Sequence, residues 1–211
     1  LPARLEEAFQ LATEGRPGPV LIDIPMDIQR AVVTDLSRLS AEAPLAPAKV
    51  PSQASAAFCE QLLKSLDQAQ RPLILAGGGI RSGAATELFR DLVHALGVPV
   101  VHSLMAVDVL PAADPLRVGM IGSYGNRWAN IAVSECDFML ILGSRLDVRQ
   151  TGADTESFKG QRSIYHIDCE AGEMNNRVKG CHAHVSELRP FLAAAIEKTG
   201  RRIQPQSWVE Q

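Results

Sequence analysis

The chain has 211 residues, 46% of them apolar, and a formal net charge of −3. That apolar share can fill a core, which excludes wholesale disorder, and a mildly acidic balance without a basic stripe excludes nucleic acid as a partner. No apolar run approaches membrane-spanning length and no charged-then-apolar leader opens the sequence, so a cytoplasmic protein is expected, and the start at Leu1 without an initiator Met suggests a piece of something larger.

Residues 4–13 place Leu5, Ala8, Phe9 and Ala12 on one helical stripe. Gly15-Arg16-Pro17-Gly18-Pro19 then turns the chain, and residues 20–24 predict a short strand closed by Pro25. One helix and one strand cannot bury their own faces, so residues 1–27 are expected to be the end of another domain. Left alone, Leu5, Phe9, Val20 and Ile22 would favour self-association or instability. Residues 28–52 rise in Pro, Ala and Ser, with Pro44, Pro47 and Pro51 closely spaced, which predicts a semi-rigid linker. A compact domain is expected from residue 53 to 199, followed by a tail, 200–211.

Within that domain helices and strands alternate. The pattern predicts a helix over 54–66, a strand over 72–76, a helix over 82–96 and a strand over 98–101. A short strand at 116–119, a helix at 126–134 and a strand at 138–142 follow. Strands at 163–168 and 177–180 and a closing helix at 184–198 complete the series. Apolar strands alternating with helices predict an α/β fold: an open parallel sheet of about six strands, Rossmann-like and doubly wound, with helices on both faces. No internal repeat is present.

The cysteines Cys59, Cys136, Cys169 and Cys181 are scattered and form no Cys-x-x-Cys pair, which is ordinary cytosolic usage. Cys181-His182-Ala183-His184 is one short cluster without a second half, so a helix start is expected there and no metal site.

Three segments could carry chemistry. Gly77-Gly78-Gly79 follows the first strand of the domain, where glycines let backbone approach a phosphate and a helix start favours negative charge. Its spacing to Gly83 is not a strict dinucleotide fingerprint. Val101-His102-Ser103, at the end of the next strand, also lacks the ribose-holding acid of ordinary NAD domains; that acid arrives later, in His166-Ile167-Asp168. Gly119-Met120-Ile121-Gly122-Ser123-Tyr124 is a second glycine turn, in which Met120 and Tyr124 either face an aromatic ring or simply anchor a loop. Finally, Gly143-Ser144-Arg145-Leu146-Asp147-Val148-Arg149 follows a buried strand and offers two arginines. It suits a diphosphate or, alternatively, is a solvated loop with a local ion pair. No nucleophile–base pair or acid–base carboxylate pair is evident: His102 and Ser103 are adjacent on a strand and point to opposite faces. The chain is expected to bind rather than transform.

Taken together these residues resemble the central domain of thiamine-diphosphate-dependent enzymes, and most specifically the acetolactate (acetohydroxyacid) synthase branch. The resemblance covers nearly the whole chain. Gly15-Arg16-Pro17-Gly18-Pro19-Val20 with Ile22-Asp23-Ile24-Pro25-Met26-Asp27 is similar to that family's closing segment of the pyrimidine-binding domain. The linker, glycine triplet, glycine turn, Arg-x-Asp-x-Arg loop and His-Ile-Asp strand then come in the family's order.

The resemblance implies a domain that holds flavin adenine dinucleotide (FAD) without a redox role. It places Gly77, Gly78 and Gly79 along the diphosphate side. Ser103, Leu104 and Met105, and Ile121, Gly122, Ser123 and Tyr124, would lie beside the flavin. Gly143, Ser144, Arg145, Asp147 and Arg149 would embrace the ribityl and diphosphate groups, and Asp168 and Cys169 would meet the adenosine end. Val148 stands where the family often has a second acid, and Gly180-Cys181-His182 where it often has Gly-Asp-Ala.

The implied parent decarboxylates a 2-oxo acid such as pyruvate and adds the two-carbon unit to a second carbonyl, as a homo-oligomer. Thiamine diphosphate and Mg2+ would be held by pyrimidine- and diphosphate-binding domains outside this chain, and the fragment alone would be inactive. A ligand-free scaffold and an ADP-binding or nucleotide-linked redox domain are the alternatives; the Gly-Arg-Pro-Gly-Pro remnant argues against the redox one.

Overall fold

The computed structural model describes residues 1–14, 17–33 and 55–199. The Gly15-Arg16 pair, the linker prolines, the expected boundary at residue 53 and the tail 200–211 lie outside the described residues. The chain divides into two compact units, Leu1–Val50 and Pro51–Gln211.

In the first unit, α1 (Pro2–Thr13) starts with proline in its first turn, where the missing N–H would have had no helical partner. Residues 20–24 take no regular secondary structure and pair with no strand among the described residues, so the expected short strand is not formed; a one-turn helix, α2 (Met26–Arg30), follows Pro25. Strand character needs a neighbouring edge, and the described residues of this unit supply none. Phe9, Val20, Leu21 and Ile22 are exposed, and Ala8 is the one buried described residue of the unit.

The second unit is a six-stranded sheet in the order β3-β2-β1-β4-β5-β6, with every neighbouring pair parallel. The strands are β1 (Pro72–Ala76), β2 (Val100–His102), β3 (Arg117–Met120), β4 (Phe138–Leu142), β5 (Ser163–Asp168) and β6 (His182–Val185). β1 and β4 are buried along their whole length, as continuous apolar runs demand. Alternate residues feed two cores. Ile74, Leu140 and Tyr165 face α3 (Ala56–Gln68), α5 (Thr86–Leu96) and α9 (Leu188–Thr199). Leu75, Ile141 and Ile164 face α6 (Arg127–Glu135) and Phe158 of α8 (Thr155–Lys159).

Local chemistry sets several boundaries. Ser55 caps α3 by accepting from Phe58 N, and α5 stops where Gly97 turns left-handed, with φ of 64°. The helix expected over 82–96 begins only at Thr86; a separate single turn, α4 (Gly79–Ser82), precedes it, and the break lies at Ala84, whose φ is 48°.

The sheet edge beyond β5 also differs from expectation. Residues 177–180 are a loop, because Asn175 closes on Cys181, accepting its N–H at 2.7 Å and donating to its carbonyl at 3.0 Å. The sixth strand is His182–Val185, so the histidines lie on an edge strand and not at a helix start. α9 begins only at Leu188, which puts Pro190 in its first turn, where proline is tolerated.

At the amino-terminal rim one residue ties three strands. The Asp137 carboxylate accepts the N–H groups of Gln70 and Arg71 at 2.8 and 2.9 Å. Its own N–H donates to Arg71 O, and its carbonyl accepts from Ser163 N at 2.9 Å, linking the starts of β1, β4 and β5.

Candidate functional site

Strand order reverses between β1 and β4: from β1 the chain steps outward to β2 and β3, then returns to β4 and steps the other way. In such sheets the loops leaving the two strands diverge and open a crevice at their carboxyl ends. The glycine triplet leaves β1 there and the arginine loop leaves β4.

These two loops meet backbone to backbone. Gly77 N donates to Leu142 O and Gly79 N to Gly143 O, both at 2.9 Å, and Gly143 N donates to Ile167 O on β5. The amides of Gly77 and Gly79 are therefore committed to the neighbouring loop and not to a ligand. Gly78 lies under Met105: a Cβ built on it would stand 2.9 Å from the Met105 Cβ. The element after the triplet is the single-turn α4, so the long helix expected to present its N-terminus there begins further on.

The arginine loop is braced from within. Asp147 caps α7 (Val148–Thr151), accepting from Arg149 N at 2.8 Å and Gln150 N at 3.3 Å. Ser144 Oγ donates to Gln150 Oε1 at 2.7 Å, and Gln150 Nε2 donates to Asp147 Oδ2 at 3.3 Å. Leu146 is buried, with φ of 55°. The side chains of Arg145 and Arg149 point into solvent, and neither has an ion pair or hydrogen-bond partner among the described residues. The local Arg–Asp ion pair weighed for this loop does not form, because the Asp147 carboxylate is occupied by backbone.

The second glycine turn docks on this loop. Ser123 N donates to Arg149 O at 2.9 Å, and a Cβ on Gly122 would stand 2.2 Å from that same oxygen. Two asparagines shape the turn: Asn126 Oδ1 accepts from Met120 N, and Asn130 bonds both the N–H and the carbonyl of Gly122. Tyr124 projects outward, 81% exposed, and Leu104 and Met105 are exposed on the 3-10 turn after β2. Asp168, at the end of β5, is buried and accepts from Glu170 N at 3.0 Å; Cys169 is partly exposed.

The candidate residues thus divide by what they present. Gly77, Ile121, Gly122, Gly143, Ser144 and Asp147 build the rim through packing and backbone bonds. Leu104, Met105, Ser123, Tyr124, Arg145 and Arg149 offer side chains to solvent at that rim, and Ser103, buried, holds the β2 exit by donating its N–H to Ala76 O. Exposed apolar and aromatic side chains thus follow β2 and β3, and two arginines without partners among the described residues follow β4 at the switch point; such groups suit an aromatic ring joined to a diphosphate. Not singled out as site residues from the sequence were Asn126, Asn130, Gln150 and the fully buried His166, whose Nε2 donates to Ser144 O at 2.7 Å. Among the described residues no group of three or more His, Cys, Asp or Glu is placed to hold a metal ion, and no helix is long and apolar enough to cross a membrane.

Residues 59–195 match the family model of the thiamine pyrophosphate enzyme, central domain. The chain belongs to this family. Acetolactate synthases are among its relatives. Acetolactate synthase 2, chloroplastic, from Zea mays is 38% identical over 186 residues, covering 88% of this chain and 28% of that protein. The acetolactate synthase large subunit of Lactococcus lactis is 32% identical over 210 residues, which is 100% of this chain and 36% of the relative. Acetolactate synthase isozyme 1 large subunit of Escherichia coli is 35% identical over 201 residues, 93% and 34% respectively. The chain therefore spans about a third of the length of these relatives, and it carries the architecture expected of a thiamine pyrophosphate enzyme central domain.

Proposed function

We propose that this central domain holds FAD, in a structural rather than redox role, across the crevice between β1 and β4. The observation that carries the proposal is the pair of exposed guanidinium groups, Arg145 and Arg149, without partners among the described residues, on a hydrogen-bonded loop at the switch point of the sheet. Each guanidinium is a planar fork that keeps its charge, so two of them suit the two negative charges of a dinucleotide diphosphate. Leu104, Met105 and Tyr124 would line the isoalloxazine side, and Asp168 with Cys169 the adenosine side.

The parent enzyme would be a thiamine-diphosphate-dependent, acetolactate synthase-like transferase. It would decarboxylate a 2-oxo acid such as pyruvate and join the two-carbon unit to a second carbonyl. The thiamine cofactor, with Mg2+, would supply that chemistry from domains outside this chain. FAD would supply shape and not electrons. A homo-oligomeric parent and a cytoplasmic location are parts of the same proposal.

Absorbance spectroscopy tests the binding step. The 211-residue chain is mixed with FAD, freed of excess and scanned. A retained flavin band that disappears in the Arg145→Ala, Arg149→Ala double variant supports the clamp. A colourless protein whose melting temperature rises with ADP would replace FAD by a nucleotide, and no response to either would leave a ligand-free scaffold.

A further inference from the structure

We infer that His166 is the positioning residue of the arginine loop: by donating its Nε2–H to the carbonyl of Ser144, it fixes the base from which Arg145 and Arg149 reach a diphosphate. This rests on the FAD reading for its consequence, but not for its geometry.

A histidine wholly buried in a strand needs a reason, since an imidazole without a partner is costly there. His166 sits midway along β5, on the face shared by Ile164, Ile141 and Leu146. Its Nε2 lies 2.7 Å from Ser144 O. A carbonyl oxygen only accepts, so the ring proton is on Nε2. Nδ1 then carries the lone pair, inside the core and without a hydrogen-bond partner among the described residues. Burial pushes the His166 pKa down, opposed by the Ser144 bond and by the charges of Asp168 and Glu173, so the ring stays neutral and keeps this tautomer.

What that bond holds is specific. Ser144 is gripped on both sides, by His166 at its carbonyl and by Gln150 at its hydroxyl. Leu146, two residues on, is buried in left-handed backbone that leucine seldom adopts. Arg145 lies between these two anchors, so its backbone is fixed while its side chain remains in solvent. From Ser144 the chain of bonds runs through Gln150 and Asp147 to Arg149 N. Fixing the loop before a ligand arrives removes an ordering cost from binding, which is how a buried histidine on one strand can govern affinity at a loop on the next.

The test compares His166→Leu, which removes the donor at similar volume, with His166→Gln, whose side-chain amide can still donate to Ser144 O. Amide hydrogen exchange of residues 143–151 is read without ligand, and FAD affinity is titrated on the same 211-residue chains. Expected is faster exchange confined to that loop and a loss of affinity of about tenfold or more in His166→Leu, with both largely restored in His166→Gln. Equal loop protection in wild type and His166→Leu overturns the proposal, and so does uniform loss of protection across the sheet with no rescue by glutamine. Should His166→Leu not fold, the 15N spectrum of the wild-type imidazole decides: a proton on Nδ1 overturns it and a proton on Nε2 upholds it. If wild type binds no FAD, the flavin reading fails while the exchange comparison still judges His166.

Discussion

A Cβ on Gly77 would stand 2.1 Å from the carbonyl oxygen of Gly143. The two residues follow the two central strands, and their contact is backbone on backbone, with nothing flexible to move aside. The first glycine of the triplet is therefore required by packing between loops, before any phosphate is considered. Gly77→Ala should lower stability by roughly 2–4 kcal/mol, as overpacking against rigid neighbours does. Gly172→Ala is the control. Its nearest neighbour would be a Glu170 side-chain oxygen at 3.6 Å, an ordinary contact, and its effect should stay within about 0.5 kcal/mol. Urea titration of both variants decides between them.

The arginines should behave in the opposite way. Arg145→Ala and Arg149→Ala should leave the melting temperature nearly unchanged, because both side chains are exposed and unpaired among the described residues. FAD affinity should fall about 10- to 100-fold for each, the usual worth of a charged hydrogen bond. Isothermal titration at two salt concentrations checks this, and the residual affinity of the variants should depend less on salt.

Thiol reactivity should single out one cysteine. Burial pushes the Cys136 thiol up to about 11, and burial likewise raises those of Cys59 and Cys181. At pH 8 little reactive thiolate forms on these three. Cys169 is partly exposed at the carboxyl end of β5. Brief alkylation followed by mass spectrometry should label Cys169 first, and bound FAD should slow that labelling.

Acid should weaken the fold earlier than carboxylate titration alone would. Burial lowers the pKa values of His102, His166 and His184 below the ordinary imidazole value. The unfolded chain therefore takes up protons first as pH falls below about 6.5, which favours unfolding. The contribution of these histidines is complete above that pH and is lost progressively below it, towards their native values. Melting temperature should fall between pH 7 and 5, and His166→Gln should shallow the slope. A flat profile would contradict this.

The phenol of Tyr165 offers a test of the other face. Its hydroxyl lies 2.8 Å from Ser65 Oγ and reaches Gln61 O at 3.3 Å, joining β5 to α3. Tyr165→Phe should cost about 1 kcal/mol of stability without changing FAD affinity, a separation that thermal melts and titrations on one sample would reveal.

Much of this architecture was legible in the sequence, and the reasons are particular. The expected bounds of β1, β4 and β5 coincide with the observed Pro72–Ala76, Phe138–Leu142 and Ser163–Asp168; for β1 and β4 that is because buried parallel strands read as continuous apolar runs. The edge strand His182–Val185 has no such requirement, and its polar residues hid it. The one-turn helices α7 and α8 are set by Asp147 and Asp154 caps rather than by an apolar stripe, so periodicity passed over them. At the site, the arginines were visible as residue types. Their support was not: the bonds from His166 to Ser144 and from Asn130 to Gly122 join segments that local pattern does not relate. A polar residue inside the otherwise apolar Ile164-Tyr165-His166-Ile167 was the one available signal, since such a group must find a partner.

The Asp137 tie at the amino-terminal rim has an evolutionary consequence. Three strand starts are secured at the end of the sheet away from the crevice, by the carboxylate and backbone of one residue. Loops at the carboxyl rim can then be exchanged, shortened or recharged by drift while the strands keep their alignment. A lineage built on such a sheet can change or abandon its cofactor without first inventing a new scaffold.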